Sequence, residues 1–545
     1  MAEEAASEEP SGEPDGAAEA AGERAAIAGR AGLVGLGTLS SRALGLGRDL
    51  ALAALFPRAA TDLFFVAFTI PNALRQLLAE GALSSAFVPV LAGVDEKEGK
   101  EAAERFYAKL RGAMWLVLIV TCAVGVMAAP LLCELFAAGF HARPGAFERT
   151  VAITRAVFPY LLFMGLAALG AGALQTRKRF GVAAFAPGLL NVAMIVCAFA
   201  LAPVLSRHGI DPLYALAVGA LIGGALQVAA QAPDLRRAGF GGPLALDLSD
   251  PKVREVVRRI APMAIGLMIY EVDLVLSRRF LSQAGEGANS FFYYAQRLCD
   301  FPQGVFALAI ATATLPSLAK LVARGDRKEV AVTAAHAIRL SAYVGLPATT
   351  LLVALAGPIT TVVFARGAFD AVSVDGTTRA LVAQALGIWT VALVRQLVPI
   401  FHALGDTRTP VWVSLLDLFA FVALALGLRG RLGHVGVSVA VSGSSFVQMA
   451  LLIHYLRQRL PELHGGLWVG SFLKNLTAAA FAGLAAFGAA QLSSGFLPVL
   501  GAVTPLVLGL VAFGGVFLAL GYGLGSEEQR TIVSGLARRL RRRRA

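Results

Sequence analysis

Residues 64–92 read FFVAFTIPNALRQLLAEGALSSAFVPVLA, and residues 291–319 read FFYYAQRLCDFPQGVFALAIATATLPSLA. Laid over each other without a gap, Phe64 meets Phe291 and Pro89 meets Pro316, a spacing of 227. Two further echoes follow in order. LFAAGF (135–140) answers VFARGAF (363–369), with Gly139 and Gly367 228 apart, and ALQTR (173–177) answers ALGDTR (403–408) at 230 to 231. Apolar helices all look alike, but chance would not keep Pro, Gly and Thr-Arg aligned and in order. A slowly drifting offset is what a duplicated unit leaves behind.

The repeated unit is built for lipid. Of the 545 residues 57% are hydrophobic and only 15% charged, with a mean hydropathy of +0.68. A soluble chain carries about a quarter charged residues. A helix needs roughly 20 apolar residues to cross ~30 Å of hydrocarbon. Runs of that kind fall near 31–57, 62–93, 112–135, 150–174, 183–204, 212–232 and 256–281. They continue near 289–319, 335–363, 377–404, 410–428, 434–456, 471–493 and 499–523. The expectation is an all-α integral membrane protein with about 14 transmembrane helices. Residues 31–235 and 255–458 form two six-helix repeats, and residues 470–525 add two extra C-terminal helices. Six is even, so both repeats enter the membrane in the same sense and are related by an axis along its normal, with a substrate path between them.

The ends differ from the middle. Residues 1–30 are acidic and small, lack a basic start and an apolar stretch, and read as a disordered tail rather than a secretory signal. Residues 526–545 form a basic tail. Basic residues cluster in alternate connections: Lys97, Lys100, Arg105, Lys109 and Arg111; Arg177, Lys178 and Arg179; Arg236, Arg237, Lys252, Arg254, Arg258 and Arg259; Lys320, Arg324, Arg327 and Lys328. The intervening connections carry one or two each, such as Arg58, Arg207, Arg278 and Arg279. The positive-inside rule then puts both termini in the cytoplasm. The same pattern accounts for the net charge of +12 without nucleic acid, and the Arg-rich end could rest on anionic membrane lipid. Cys122, Cys133, Cys197 and Cys299 show no CxxC spacing, and the seven histidines no paired spacing, so no metal site or catalytic constellation emerges. The chain reads as no enzyme and implies no cofactor.

Charges inside spans carry the functional signal. Arg42, Arg48 and Asp49 lie in the first span, Arg75 and Glu80 in the second, Arg297 and Asp300 in the eighth. A central charge costs roughly 2.5–3.5 kcal/mol on insertion scales, so these side chains must face water or one another. Clustered arginines suit an anion, because guanidinium and phosphate form two-pronged hydrogen bonds. The competing reading is structural: Arg48 beside Asp49, Arg75 near Glu80 and Arg297 three before Asp300 could be ion pairs that lock helices. Arg42 has no local acid. Gly32, Gly35, Gly37, Gly45 and Gly47 in the first span fit close packing or bending equally well. Asp273 in the seventh span and Asp417 in the eleventh are candidate sites for a coupling cation.

These residues carry a family resemblance. SSRALGLGRDLALAALFPRAATDLFFVAFTIPNALRQLLAEGALSSAFVPVLA resembles the N-terminal signature of the MurJ (MviN) lipid II flippases, within the multidrug/oligosaccharidyl-lipid/polysaccharide exporter superfamily. YYAQRLCDFPQGVFALAIATATLPSLAK is similar to that family's second strong motif, and GALQTRKRFGVAAFAPGLLNV and FHALGDTRTPV to two of its joints. The resemblance spans roughly residues 30–525. It implies two six-helix lobes in a V around a cavity, with Arg42, Arg48, Arg75 and Arg297 as cavity arginines and Asp62 and Glu80 at acidic motif positions. The implied substrate is lipid II, an undecaprenyl-pyrophosphate carrying a disaccharide-pentapeptide, moved by alternating access across the bacterial cytoplasmic membrane. Membrane potential or a coupling cation would drive it, and cell-wall synthesis proteins stand as further partners. Gln76 and Gln296 replace charged residues found in some relatives. Export of another lipid-linked glycan or of drugs, or a scaffold without transport, are the alternatives.

Overall fold

A computed structural model of the chain describes residues 15–79, 81–303, 317–493 and 501–531. These residues are helices joined by short turns, with no strand among them. The first run is α1 (Asp15–Leu55), α2 (Arg58–Ala79), α3 (Gly81–Glu98), α4 (Lys100–Met127) and α5 (Ala129–Ala137). After a 3-10 turn at Ala138–Ala142 come α6 (Ala146–Val157), α7 (Tyr160–Thr176), α8 (Gly181–Arg207) and α9 (Leu213–Arg237). The second half holds α10 (Pro251–Ser282), α11 (Ala288–Pro302), α12 (Arg327–Ala354), α13 (Ala356–Phe364), α14 (Ala371–Ala385) and α15 (Ile388–Ala403). It ends with α16 (Arg408–Leu432), α17 (His434–Arg459), α18 (Val469–Ser493) and α19 (Val503–Gly523).

Nine helical spans among the described residues are long and apolar enough to cross a membrane, or up to ten if α14 and α15 count as one. Fourteen were expected, and the gap has identifiable sources. The expected spans 62–93 and 289–319 include residues outside the described ones. Helix α1 carries Arg42, Arg48 and Asp49, and α10 carries Glu271, Asp273, Arg278 and Arg279, which lowers the apolarity of both. Two expected spans are also interrupted, the first without leaving the count and the second at its expense. The span Ala146–Thr176 is interrupted between α6 and α7, where Pro159 cannot donate a backbone hydrogen bond. Helices α14 and α15 bend by 42° at Leu386–Gly387, and the Ser442 hydroxyl bonds the Ala383 carbonyl beside the break at 2.7 Å. Helix α1 reaches back to Asp15, into the segment expected to be disordered, because its AAEAAGERAA run is rich in alanine, the strongest helix former.

The chain divides into two compact units, and each takes non-contiguous segments. Unit one comprises Met1–Arg48, Leu74–Ala123 and Pro159–Met263. Its helices pack through small residues. A Cβ on Gly223 of α9 would stand 2.6 Å from the Leu190 Cα of α8, and one on Gly172 of α7 would strike the Phe87 ring of α3 at 2.4 Å. The connection after α9 is strapped to the start of α4. Lys109 reaches Asp247 at 2.9 Å and Asp250 at 2.8 Å, and Arg111 donates to the carbonyls of Phe240 and Gly242. Phe240 is buried against Tyr107.

Unit two comprises Asp49–Ala73, Val124–Phe158 and Ala264–Ala545. It therefore draws on both sequence repeats and on the extra helix pair. Helices α18 and α19 dock on α12 through a cluster of small and aromatic side chains including Ala342, Ala479, Ala482, Ala486, Phe513 and Phe517. The buried Glu528 carboxylate, just past α19, seals that docking: it accepts from Ser471 at 2.8 Å and faces Arg339 at 3.1 Å. Leu484, Phe487 and Leu492 of α18 and Val511 and Leu518 of α19 are exposed, as befits a surface meeting lipid tails.

Candidate functional site

The charges singled out in the sequence fall into both units. Arg42, Arg48 and Arg75 belong to unit one and Arg297 to unit two. On α1, Arg42 is exposed while Arg48 and its neighbour Asp49 are buried, and Arg75 is half-buried on α2. Glu80 lies outside the described residues.

Within unit two the end of α1 meets α11. The Arg297 Nε donates to Asp49 Oδ2 at 2.7 Å, and its Nη2 donates to the Tyr293 hydroxyl at 2.9 Å. Tyr293 in turn donates to Asp49 Oδ1 at 3.1 Å and stacks on Phe65 at 3.8 Å between centroids. Asp300, the local partner suggested by spacing, is farther from Arg297 at 3.8 Å, and its other oxygen takes a hydrogen bond from Gln296. Asp49 is wholly buried, whereas the Arg297 side chain keeps 35% of its exposure. One edge of the guanidinium is thus fixed and another can meet an incoming group.

Asp62 serves both as a helix cap and as the partner of an arginine from outside the expected four. Its buried carboxylate accepts from the backbone N–H of Asn289 at 2.7 Å and of Ser290 at 3.2 Å, so it caps the N-terminus of α11. A carboxylate there satisfies free backbone donors and meets the positive end of the helix dipole. Arg143, from the turn after α5, donates to the same carboxylate at 2.8 Å. Thr61 and Ser290 touch hydroxyl to hydroxyl at 2.8 Å, and Arg58 bridges Glu286 and Asp370. Sequence reasoning passed over Tyr293 and Arg143 and used Arg58 only as a marker of topology. The first was signalled only by its place one helical turn before Arg297, and the two arginines sit in connections that hydropathy treats as loops.

Asp273 on α10 and Asp417 on α16 do come together. They are close enough for their charges to interact, and Asp417 Oδ1 is buried without a hydrogen-bond partner, while the Ser444 hydroxyl of α17 donates to the Val441 carbonyl. Among the described residues no three His, Cys, Asp or Glu side chains group as a metal site. A hollow of about 700 Å³ near Arg366, Asp370 and Asp375 contains none of the four arginines.

Nine apolar spans among the described residues, beside helices that bury charged side chains such as Asp49 and Arg278, define a class: a multi-spanning membrane transporter. The comparisons with known proteins are specific about which. The family model described as "Lipid II flippase MurJ" matches residues 52–508. The lipid II flippase MurJ of Burkholderia cenocepacia is 34% identical over 434 residues, covering 77% of this chain and 82% of that protein. The probable lipid II flippase MurJ of Bdellovibrio bacteriovorus is 31% identical over 93% of this chain and 96% of its own. A solved lipid II flippase MurJ in an inward closed conformation superposes with a TM-score of 0.72 at 21% identity, over 90% of this chain and 99% of that one. An inward-facing multidrug resistance MATE transporter of the MOP superfamily gives 0.64 at 16% identity, over 78% and 95%. The chain belongs to the lipid II flippase MurJ family.

Proposed function

We propose that this chain moves lipid II from the inner to the outer leaflet of the bacterial cytoplasmic membrane by alternating access, without catalysing a covalent step, and that Arg42, Arg48, Arg75 and Arg297 receive its pyrophosphate. The family match over residues 52–508 carries the substrate. The arginine role is supported by Arg297, whose guanidinium is aimed by buried Asp49 yet stays partly exposed. A buried acid that holds one edge of an arginine pre-pays the ordering of that side chain, and the remaining N–H groups fit phosphate oxygens. Both termini lie in the cytoplasm, following the basic connections. The polyisoprenoid tail stays in lipid, so only the polar head needs a path. The drive comes from membrane potential, worth ~2.3 kcal/mol per charge per 100 mV, or from a cation held at Asp273 and Asp417. Anionic lipids beside the basic tail and cell-wall synthesis proteins are its further partners.

The test is complementation of bacteria depleted of their lipid II flippase, with wild type, Arg42→Ala and Arg297→Ala compared at equal membrane abundance. Rescue by wild type alone supports substrate and site together. Rescue by all three keeps the flippase and removes the arginines from it. Failure of well-inserted wild type points to another lipid-linked glycan.

A further inference from the structure

We propose that Arg143 is a positioning residue for the closed state of this transporter: it neutralises Asp62 so that the carboxylate can cap α11, and releasing that junction is a step in opening the face where it lies. The proposal takes this face as the outer one, which rests on the topology proposed above.

Asp62 has no solvent exposure, and its three donors are the Asn289 N–H, the Ser290 N–H and the Arg143 guanidinium. Of these only Arg143 brings a full positive charge. A carboxylate withdrawn from water holds its charge only if it is paired, and two backbone donors do not replace a counter-ion. Arg143 is itself committed to this post. Its guanidinium lies over the Phe140 ring at 4.2 Å, and Nε and Nη2 are buried without a hydrogen-bond partner. A buried guanidinium that uses one of its three nitrogens is costly, so it persists only because the surrounding turn fixes it. That turn is the 3-10 segment Ala138–Ala142 followed by Gly145 in the left-handed region at φ +71, within a connection that hydropathy alone marks as a plain loop.

The junction lies where the two sequence repeats touch inside unit two. Arg143 and Asp62 come from the first repeat and Asn289 and Ser290 from the second. Thr61 against Ser290 and Arg58 against Glu286 cross the same seam. If the repeats part here, Asp62 must give up α11, and then water can solvate it in place of the lost donors. Arg143 therefore favours the closed state, in which the carboxylate has no water.

The hydroxyl pair Thr61–Ser290 provides the gauge. In a Thr61→Cys, Ser290→Cys chain the two thiols form a disulfide only while the seam is shut, and the four native cysteines are buried. The full-length protein in inverted and right-side-out vesicles is oxidised mildly, and crosslinking is followed with and without Arg143→Ala and Arg143→Lys. Arg143→Ala is expected to slow crosslinking on the order of tenfold, as unpairing a buried charge should, and to raise labelling of the single Ser290→Cys by an impermeant maleimide. Arg143→Lys, which keeps the charge, is expected to restore most of both. A residue that merely braced the turn would lower abundance without changing crosslinking in the protein that remains. Unchanged crosslinking and labelling in Arg143→Ala overturn the proposal. Should that variant not assemble, Arg143→Gln is measured instead, and the same outcome overturns it. Neither readout needs lipid II, so a wrong substrate leaves this result intact. Labelling from the cytoplasmic side would refute the topology and spare the junction.

Discussion

The Nε of Arg297 donates to Asp49 Oδ2 at 2.7 Å although the two residues stand 248 positions apart. The bond joins the first span of one repeat to the second span of the next, and Tyr293 closes it into a three-membered ring of donors and acceptors. The pair is asymmetric, because Asp49 is buried and Arg297 is partly exposed. Removing Asp49 frees one edge of the arginine, whereas removing Arg297 takes a charged donor from a wholly buried carboxylate that keeps the Tyr293 hydroxyl. Asp49→Asn is therefore expected to cost about 1–3 kcal/mol of stability, and Arg297→Ala more. Both should abolish complementation. Thermal unfolding of the purified variants checks the order, and a larger loss in Asp49→Asn would show that Arg297, not Asp49, is the member held by its surroundings.

The close approach of α8 and α9 makes a second prediction. Gly223→Leu puts a side chain where a Cβ alone would already stand 2.6 Å from the Leu190 Cα. The helices must part, and overpacking of this kind costs roughly 1–3 kcal/mol. A Cβ added at Gly93 of α3 would meet nothing within 4 Å, so Gly93→Ala is the control and should hold or slightly raise the melting temperature, since alanine favours a helix over glycine. A melting temperature for Gly223→Leu equal to wild type would mean that α8 and α9 do not pack this closely in the membrane.

How far the sequence could go is clear from these residues. Hydropathy reveals the helices, because these follow from the bilayer as solvent and need no knowledge of contacts, while the 227-residue register reads as a duplication in the sequence itself. The pairing of Arg297 was out of reach. Spacing offers Asp300, which shares its helix, and cannot offer Asp49, which is brought near only by tertiary packing. Asp62 entered the sequence reading only through the family resemblance, as an acidic motif position, and capping a helix 227 residues away is a property of the assembled fold. The helix breaks at Pro159 and Gly387 were also hidden, because a proline or glycine in a membrane helix bends it only where neighbours satisfy the freed backbone.

The strap between the repeats predicts a pH dependence. A hydrogen bond from Lys109 holds the Asp247 carboxyl below its ordinary value of 3.8. Asp250 is also lowered: burial raises it, but Lys109 and the backbone N–H groups of Lys252 and Val253 together outweigh that. Folded-state values below the unfolded ones mean that the stabilisation is complete above the ordinary value and is lost as pH falls through the depressed one. The connection 238–250 should therefore show constant protection between pH 5 and 8, with loosening confined to below about pH 4. Lys109→Ala should loosen it at every pH. Hydrogen exchange of that connection, corrected for intrinsic rates, reads both. Loosening of the wild type near pH 6 would assign the strap to some other group.

Asp273 of α10 and Asp417 of α16 lie near enough for their charges to interact, and Asp417 Oδ1 is buried without a hydrogen-bond partner. Neighbouring carboxylates withdrawn from water favour something positive between them, a proton or a metal cation. A bound cation stabilises the folded protein by an amount set by its concentration, about 2.7 kcal/mol at a hundred times Kd. Asp417→Asn removes one charge and leaves the side-chain volume nearly unchanged. We expect melting of the wild-type protein to rise with sodium, lithium or potassium chloride relative to choline chloride at equal ionic strength, and Asp417→Asn to lose that difference. A stabilisation that choline matches is a general salt effect, and one that survives in the variant lies elsewhere. No cation effect, together with a rise in melting as pH falls through the range where wild type transports, would assign the pair to a proton. In that case Asp417→Asn should melt as the protonated wild type does at all pH values, because an amide imitates a protonated acid.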